Sequence, residues 1–146
     1  MDRIIQEKIS ADHLLYVSLK YTKTCDVILN LLSRWHNMIE MCFNALLEAC
    51  DKKKKITAVP RSPKDKVETI RKIFKKNEEI QDAIPLYVFF RRIPGLPKRR
   101  EGEFRKNLNL QITDGKNIVD INLEKLKEYE EILERFISYV KHFLSD

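Results

Sequence analysis

From about Ala11 to Ala49, apolar residues recur every three or four positions, with neither Gly nor Pro to interrupt them. That spacing predicts helix. Leu14, Val17, Tyr21, Cys25 and Ile28 form one inward line, and Leu31, Trp35, Met38, Cys42, Leu46 and Ala49 extend it. Ser10 or Asp12 is placed to cap the start by accepting backbone N–H bonds. A continuous helix over this span would be roughly 55 Å long, well beyond the usual three or four turns. Two helices with a bend or short reversal near Ser33 to Asn37 are the alternative. Each apolar line needs partner helices to cover it.

The pattern then changes. Lys52 to Pro63, with four lysines and two prolines, predicts a loop. Asp65 to Asn77 predicts a short amphipathic helix with Val67, Ile70, Ile73 and Phe74 inward. Glu78 to Arg92 predicts another, carrying Ile80, Ile84, Val88 and the aromatics Tyr87, Phe89 and Phe90; Pro85 is expected to kink it or begin it anew. Ile93-Pro94-Gly95-Leu96-Pro97 cannot be helix interior. Leu108, Leu110 and Ile112 alternate with polar residues, as do Val119 and Ile121, and Asp114-Gly115 supplies a two-residue turn. That turn sets Leu110 opposite Val119 and Leu108 opposite Ile121. An isolated pair of strands is marginal, so the hairpin must lie on the helices or pair with a second subunit. Asn122 is placed to cap a last helix from Leu123 to about Leu144, with Leu126, Tyr129, Ile132/Leu133, Phe136, Ile137 and Val140 inward and Glu124, Glu128, Glu131 and Glu134 outward.

The expected architecture is all-α or mainly α: a four- to five-helix bundle with a small β-hairpin at about 107–122 before the last helix, forming a single domain over 1–146. The chain of 146 residues is long enough for a real core. Acidic Asp2 and Glu7 precede any apolar run, which argues against a signal peptide, and no window is apolar enough for a bilayer span. A cytoplasmic protein with no membrane partner is expected. Cys25, Cys42 and Cys50 read as reduced, mostly buried thiols.

Charge alters the picture more than composition does. Between Asp51 and Lys106 there are 18 Lys/Arg against 8 Asp/Glu, whereas the flanks hold 10 against 14. Such a field attracts phosphate or another acidic surface. Its basic loops are expected near 51–66 and 97–106, with Lys98, Arg99, Arg100, Arg105, Lys106, Lys53, Lys54 and Arg61 as candidate nucleic-acid contacts. The two loops form one surface only if the fold brings them together. Arginines there could bind phosphate bidentately, and Tyr87 and Phe104 could stack on bases. Asp26 lies beside the inward line, as either a buried acid or a solvent-facing, cap-like residue. His13, His36 and His142 do not share a helical zinc spacing, and the chain has no phosphate-binding glycine loop; no metal and no cofactor are expected.

The stretch Ser10-Ala-Asp-His-Leu-Leu-Tyr-Val-Ser-Leu-Lys-Tyr-Thr-Lys-Thr-Cys-Asp26 resembles the opening helix of small, mostly archaeal proteins related to the HEPN superfamily. So does the order of the later elements: a helix around Phe43 to Glu48, short helices, a basic approach to a hairpin, and a long last helix. The resemblance covers nearly the whole chain as an arrangement rather than as a dense motif. It implies a dimerising helical bundle. Many members are metal-independent ribonucleases, and others are non-catalytic partners of nucleotidyltransferases. Their characteristic Arg, polar residue and later His has its nearest match in Arg100 to Asn107, so Asn107 stands where the His would be. Asn can donate a hydrogen bond but does not titrate near neutrality. Arg105 could stabilise developing negative charge, but that alone is a reduced mechanism.

The expectation is therefore a non-catalytic or degenerate HEPN-like homodimer contacting RNA or an acidic protein through its central basic loops. The alternatives are a dimeric ribonuclease using Arg100, Arg105 and Asn107, and an accessory bundle partnering a nucleotidyltransferase.

Overall fold

A computed structural model describes residues 1–145. Its elements, in order, are α1 (Asp2–His13), a π-helical turn (Leu14–Ser18), α2 (Leu19–Tyr21), α3 (Cys25–Lys52), α4 (Pro63–Ile73), α5 (Glu78–Arg92), β1 (Lys98–Glu101), β2 (Asn109–Asp114), β3 (Asn117–Ile121) and α6 (Leu123–Ser145). The segments from α1 to α2 form one continuous helical rod, so five rods and a small antiparallel sheet of order β1-β2-β3 make up a mainly helical protein. No helix among the described residues is long and apolar enough to cross a membrane.

Local chemistry explains most of the boundaries. The hydroxyl of Thr24 accepts from the Val27 N–H, that of Ser62 from Asp65, and the amide oxygens of Asn77 and Asn122 accept from Ile80 and Lys125. Each satisfies a donor that a helix start leaves free. Pro63 stands directly after Ser62 at the first helical position, where its missing N–H costs nothing. α3 is the central spine, roughly 42 Å long. One side is sealed from end to end by Ile28, Leu31, Trp35, Met38, Cys42 and Leu46, against α1, α5 and α6.

The N-terminal third departs from the sequence pattern in three ways. Helix begins at Asp2, with no side-chain cap, rather than at Ser10 or Asp12. The break falls at Thr22 to Thr24, not near Ser33 to Asn37, because extended Thr22 and Thr24 end one rod and cap the next. The inward stripe of the first rod is Ile4, Ala11, Leu15 and Leu19; Val17 and Tyr21 face solvent, Tyr21 with 79% of its surface exposed. The π-helical turn accounts for this by carrying more residues per turn, so Leu15 and Leu19 stay in line at a spacing of four.

Elsewhere the expected elements form with shifted details. α4 ends at Ile73, before Asn77, which caps α5 instead. α5 runs through Pro85 without beginning anew, and Pro85 is exposed. The approach to the hairpin is itself a strand: β1 pairs Lys98 with Ile112 and Arg100 with Leu110. The β2–β3 register places Leu110 opposite Ile121 and Ile112 opposite Val119, two residues away from the expected pairing. Gly115 and Lys116 form the connection because Asp114 is held as a strand residue by Arg92, at 2.5 and 3.0 Å. A slip of two conserves the face, so Leu110, Ile112 and Ile121 are buried as the alternation demands.

Candidate nucleic-acid interface

The connection from β1 to β2 is a tight loop docked onto the joint between α2 and α3. Gly102, at φ +65°, reverses the chain, and a Cβ there would lie 2.6 Å from the Asn107 carbonyl oxygen. The Arg105 N–H donates to the Gly102 carbonyl (2.9 Å) and the Leu108 N–H to that of Arg105 (3.2 Å). Glu103 then reaches the start of α3, where its carboxylate accepts from the Cys25 N–H at 3.2 Å. A carboxylate is favoured at that positive helix end. The Phe104 N–H donates to the Lys23 carbonyl at 2.5 Å.

This docking creates a surface that neither segment makes alone. Phe104 is 75% exposed and held at φ +66°, a conformation that non-glycine residues seldom adopt. On the other side of the joint stands Tyr21, with the Lys20 ammonium 5.9 Å from its ring centre. Lys23, Arg105 and Lys106 line one small hollow of about 40 Å³, floored by Leu19, Ile28, Leu108 and Leu126. Two exposed aromatic rings thus belong to the segments that supply these cations, Tyr21 two residues before Lys23 and Phe104 directly before Arg105. Nucleobases stack on such rings while cations hold the backbone.

Compared with protein-family models, curated proteins and solved structures, the chain matches none.

The sequence-nominated residues divide into two groups. Lys98, Arg99, Arg100, Arg105, Lys106 and Asn107 are exposed on β1 and the docked loop. Lys98 donates to the carbonyls of Pro94 (3.2 Å) and Leu96 (2.9 Å). Arg100 is ion-paired with Asp26 at 2.8 Å and Glu103 at 3.6 Å, which compensates its charge. Asp26 is solvent-facing in the first turn of α3. Asn107 buttresses Gly102 through its backbone and side-chain oxygens. Arg61 just precedes α4, whose Lys66 bonds Glu40 midway along the spine at 3.0 Å, and Lys53 and Lys54 lie at its far end, roughly 40 Å from Cys25 along α3. There the Lys53 ammonium lies 4.8 Å from the Phe143 ring centre. The fold does not bring Lys53 and Lys54 to the 97–106 loop.

Of the two nominated aromatics, Tyr87 is buried and its hydroxyl donates to Glu40; only Phe104 is free to stack. Sequence reasoning missed Tyr21, Lys20 and Lys23, having placed Tyr21 inward. The available signal was Thr22-Lys-Thr24-Cys-Asp26, a β-branched interruption followed by a capping residue and an acid in the first turn.

The cysteine beside this surface is not activated. Cys25 donates its S–H to the Asn109 carbonyl at 3.4 Å, and burial, reinforced by the Glu103 carboxylate, pushes its thiol up to about 11. Burial likewise pushes Cys42 up to about 12. Both are thiols rather than thiolates at neutral pH. Away from the loop, Asp12, Glu130 and Glu134 bring carboxylate oxygens within 4.8 Å of one another. The Lys8 ammonium bridges Asp12 (2.8 Å) and Glu134 (2.5 Å), so a cation already sits in that trio.

Proposed function

We propose that this protein binds single-stranded RNA without cleaving it, through the surface formed by Tyr21, Lys23, Phe104, Arg105 and Lys106. The observation that carries the proposal is the Phe104–Lys23 backbone bond, which joins two segments that each bear an exposed aromatic ring beside cations. Exposed rings beside cations suit unstacked bases better than an acidic protein face, which would need only the charges. A duplex conceals its base faces, so single strands are the substrate class.

The same geometry supports binding over cleavage. Arg100, the residue matching the catalytic Arg of the HEPN-like motif, is occupied by two carboxylates. No histidine lies between Lys98 and Asn107, and Asn107 cannot exchange a proton near neutrality. A HEPN-like origin would account for the helical arrangement, and homodimer formation in the cytoplasm belongs to the same proposal.

The test is binding of the purified protein to a mixed single- and double-stranded RNA pool at two salt concentrations, with cleavage read from the same samples. Salt-sensitive binding that favours single strands and leaves RNA intact is expected. Cleavage lost specifically in Arg100→Ala would establish a ribonuclease instead. Absence of both binding and cleavage would overturn the proposal and point to a protein partner.

A further inference from the structure

We infer that the RNA site is bipartite, extending from the aromatic loop along β1 into a cationic groove between α4 and α5. This rests on the RNA-binding proposal and adds the path of the strand and the length it needs. The groove is a cavity of about 290 Å³ lined by four cations, Lys64, Arg71, Arg91 and Arg92, against one carboxylate, Glu68. Arg71 is paired with Glu68 and Arg92 with Asp114. Lys64 and Arg91 form no ion pair among the described residues.

Arg91 links this groove to the next cavity. A second hollow of about 370 Å³ is lined by both Arg91 and Lys98. Lys98 is the first residue of β1, and its two hydrogen-bond acceptors are neutral carbonyls that leave its charge uncompensated. Lys98 pairs with Ile112 and shares its face, whereas Arg99 pairs with Gln111 on the opposite, outer face of the sheet, and the strand then delivers the chain to the loop bearing Phe104. Lys64, Arg91 and Lys98 are thus the uncompensated cations between the groove and the stacking surface. β1 contributes about 10 Å to the track. Such a path holds backbone phosphates of any sequence, while the aromatic end engages bases.

The inference predicts that short oligomers use the loop alone and longer ones recruit the groove. Fluorescence anisotropy with end-labelled oligouridylates of about four, eight, twelve and sixteen nucleotides tests it across a salt series. In the double variant Lys64→Ala/Arg91→Ala, binding of the shortest oligomer should be unchanged. On the twelve-mer, the slope of log affinity against log salt should fall by about 1.4, the counterion release of two phosphates on a single strand. Lys98→Gln, at the start of β1, should lower that slope by about 0.7 by the same reasoning. Twelve-mer affinity and slope equal to wild type in both variants would overturn the bipartite site while leaving RNA binding intact. Equal losses on four- and twelve-mers would also overturn it, because the groove would not be a separate contact. If the wild-type protein binds no oligomer at any length, the RNA-binding proposal falls and takes this inference with it.

Discussion

Replacing Phe104 by Gly separates a stacking ring from a structural one. Phe104 is 75% exposed, so it buries only about a quarter of its surface. A phenylalanine covers on the order of 200 Å², and the buried part is therefore about 50 Å², or about 1.3 kcal/mol of apolar burial. Against that loss, glycine relieves the left-handed backbone held at φ +66°, which costs an L-residue about 1 kcal/mol. The two effects nearly cancel. Unfolding stability should stay within about 1 kcal/mol of wild type, a melting shift of roughly 3 °C or less for a chain of this size. Binding behaves differently. A lost base stack costs about 1–3 kcal/mol, so affinity for single-stranded RNA should fall about 5- to 150-fold. The assay pairs thermal denaturation with anisotropy titration of the same samples. Destabilisation near the 3–5 kcal/mol typical of a core Phe→Ala change would show that Phe104 holds the loop together. Undiminished RNA affinity in a folded variant would show that no base rests on it. Either result refutes the reasoning.

Four further outcomes are expected from the geometry. Triple replacement of Lys98, Arg99 and Arg100 by Ala should lower the salt slope of RNA binding by about 0.7 rather than about 2.1, because Asp26 and Glu103 already compensate Arg100 and Arg99 lies on the outer face of the sheet; a full drop would count against that account. Gly102→Ala should destabilise by about 2–3 kcal/mol and weaken RNA binding, since its Cβ meets the Asn107 backbone at 2.6 Å, while Gly115→Ala meets nothing within 4 Å and should cost only about 1 kcal/mol; chemical denaturation would rank them. Burial raises the Glu40 carboxyl, but hydrogen bonds from Tyr87 and Lys66 outweigh it and hold the group below its ordinary range. Its contribution is therefore present above the unfolded value of about 4.3 and lost as pH falls through the lower folded value, so Glu40→Gln should be less stable at neutral pH and less acid-sensitive in a pH series of melts. Glu130 is the reverse case: burial first, then Glu134 and Asp12, raise its carboxyl. Its ionisation penalty sets in as pH rises through the unfolded value and is complete above the folded one, so Glu130→Gln should melt a few degrees higher or less at neutral pH and not lower.

What the sequence discloses here depends on how local the cause is. The cap at Asn122, the limits of α5 and the buried face of the hairpin are dictated by residues a few positions apart. The first rod was ambiguous because two apolar lines run along it, one through Leu14, Val17 and Tyr21 and another through Ala11, Leu15 and Leu19. A regular helical period does not choose between them; a widened turn does, and periodicity analysis assumes a constant turn. The site was half legible. Basic residues 98–106 announced themselves by charge, but their partners Asp26 and Lys23 lie some eighty residues earlier, and only the folded chain joins them. The hairpin slip has a similar origin, since the Arg92 clamp on Asp114 is a tertiary contact.

The widened turn at Leu14–Ser18 also sets the phase of the helix beyond it. Each residue added to or removed from a helix rotates its downstream part by about 100°. Deleting one residue from that turn would restore regular winding and change the side of the rod on which Tyr21 stands. The surface would lose one ring although neither ring had been altered. Insertions and deletions in this short stretch thus act as a mechanical dial on a surface several residues away, and substitution scans cannot reach it.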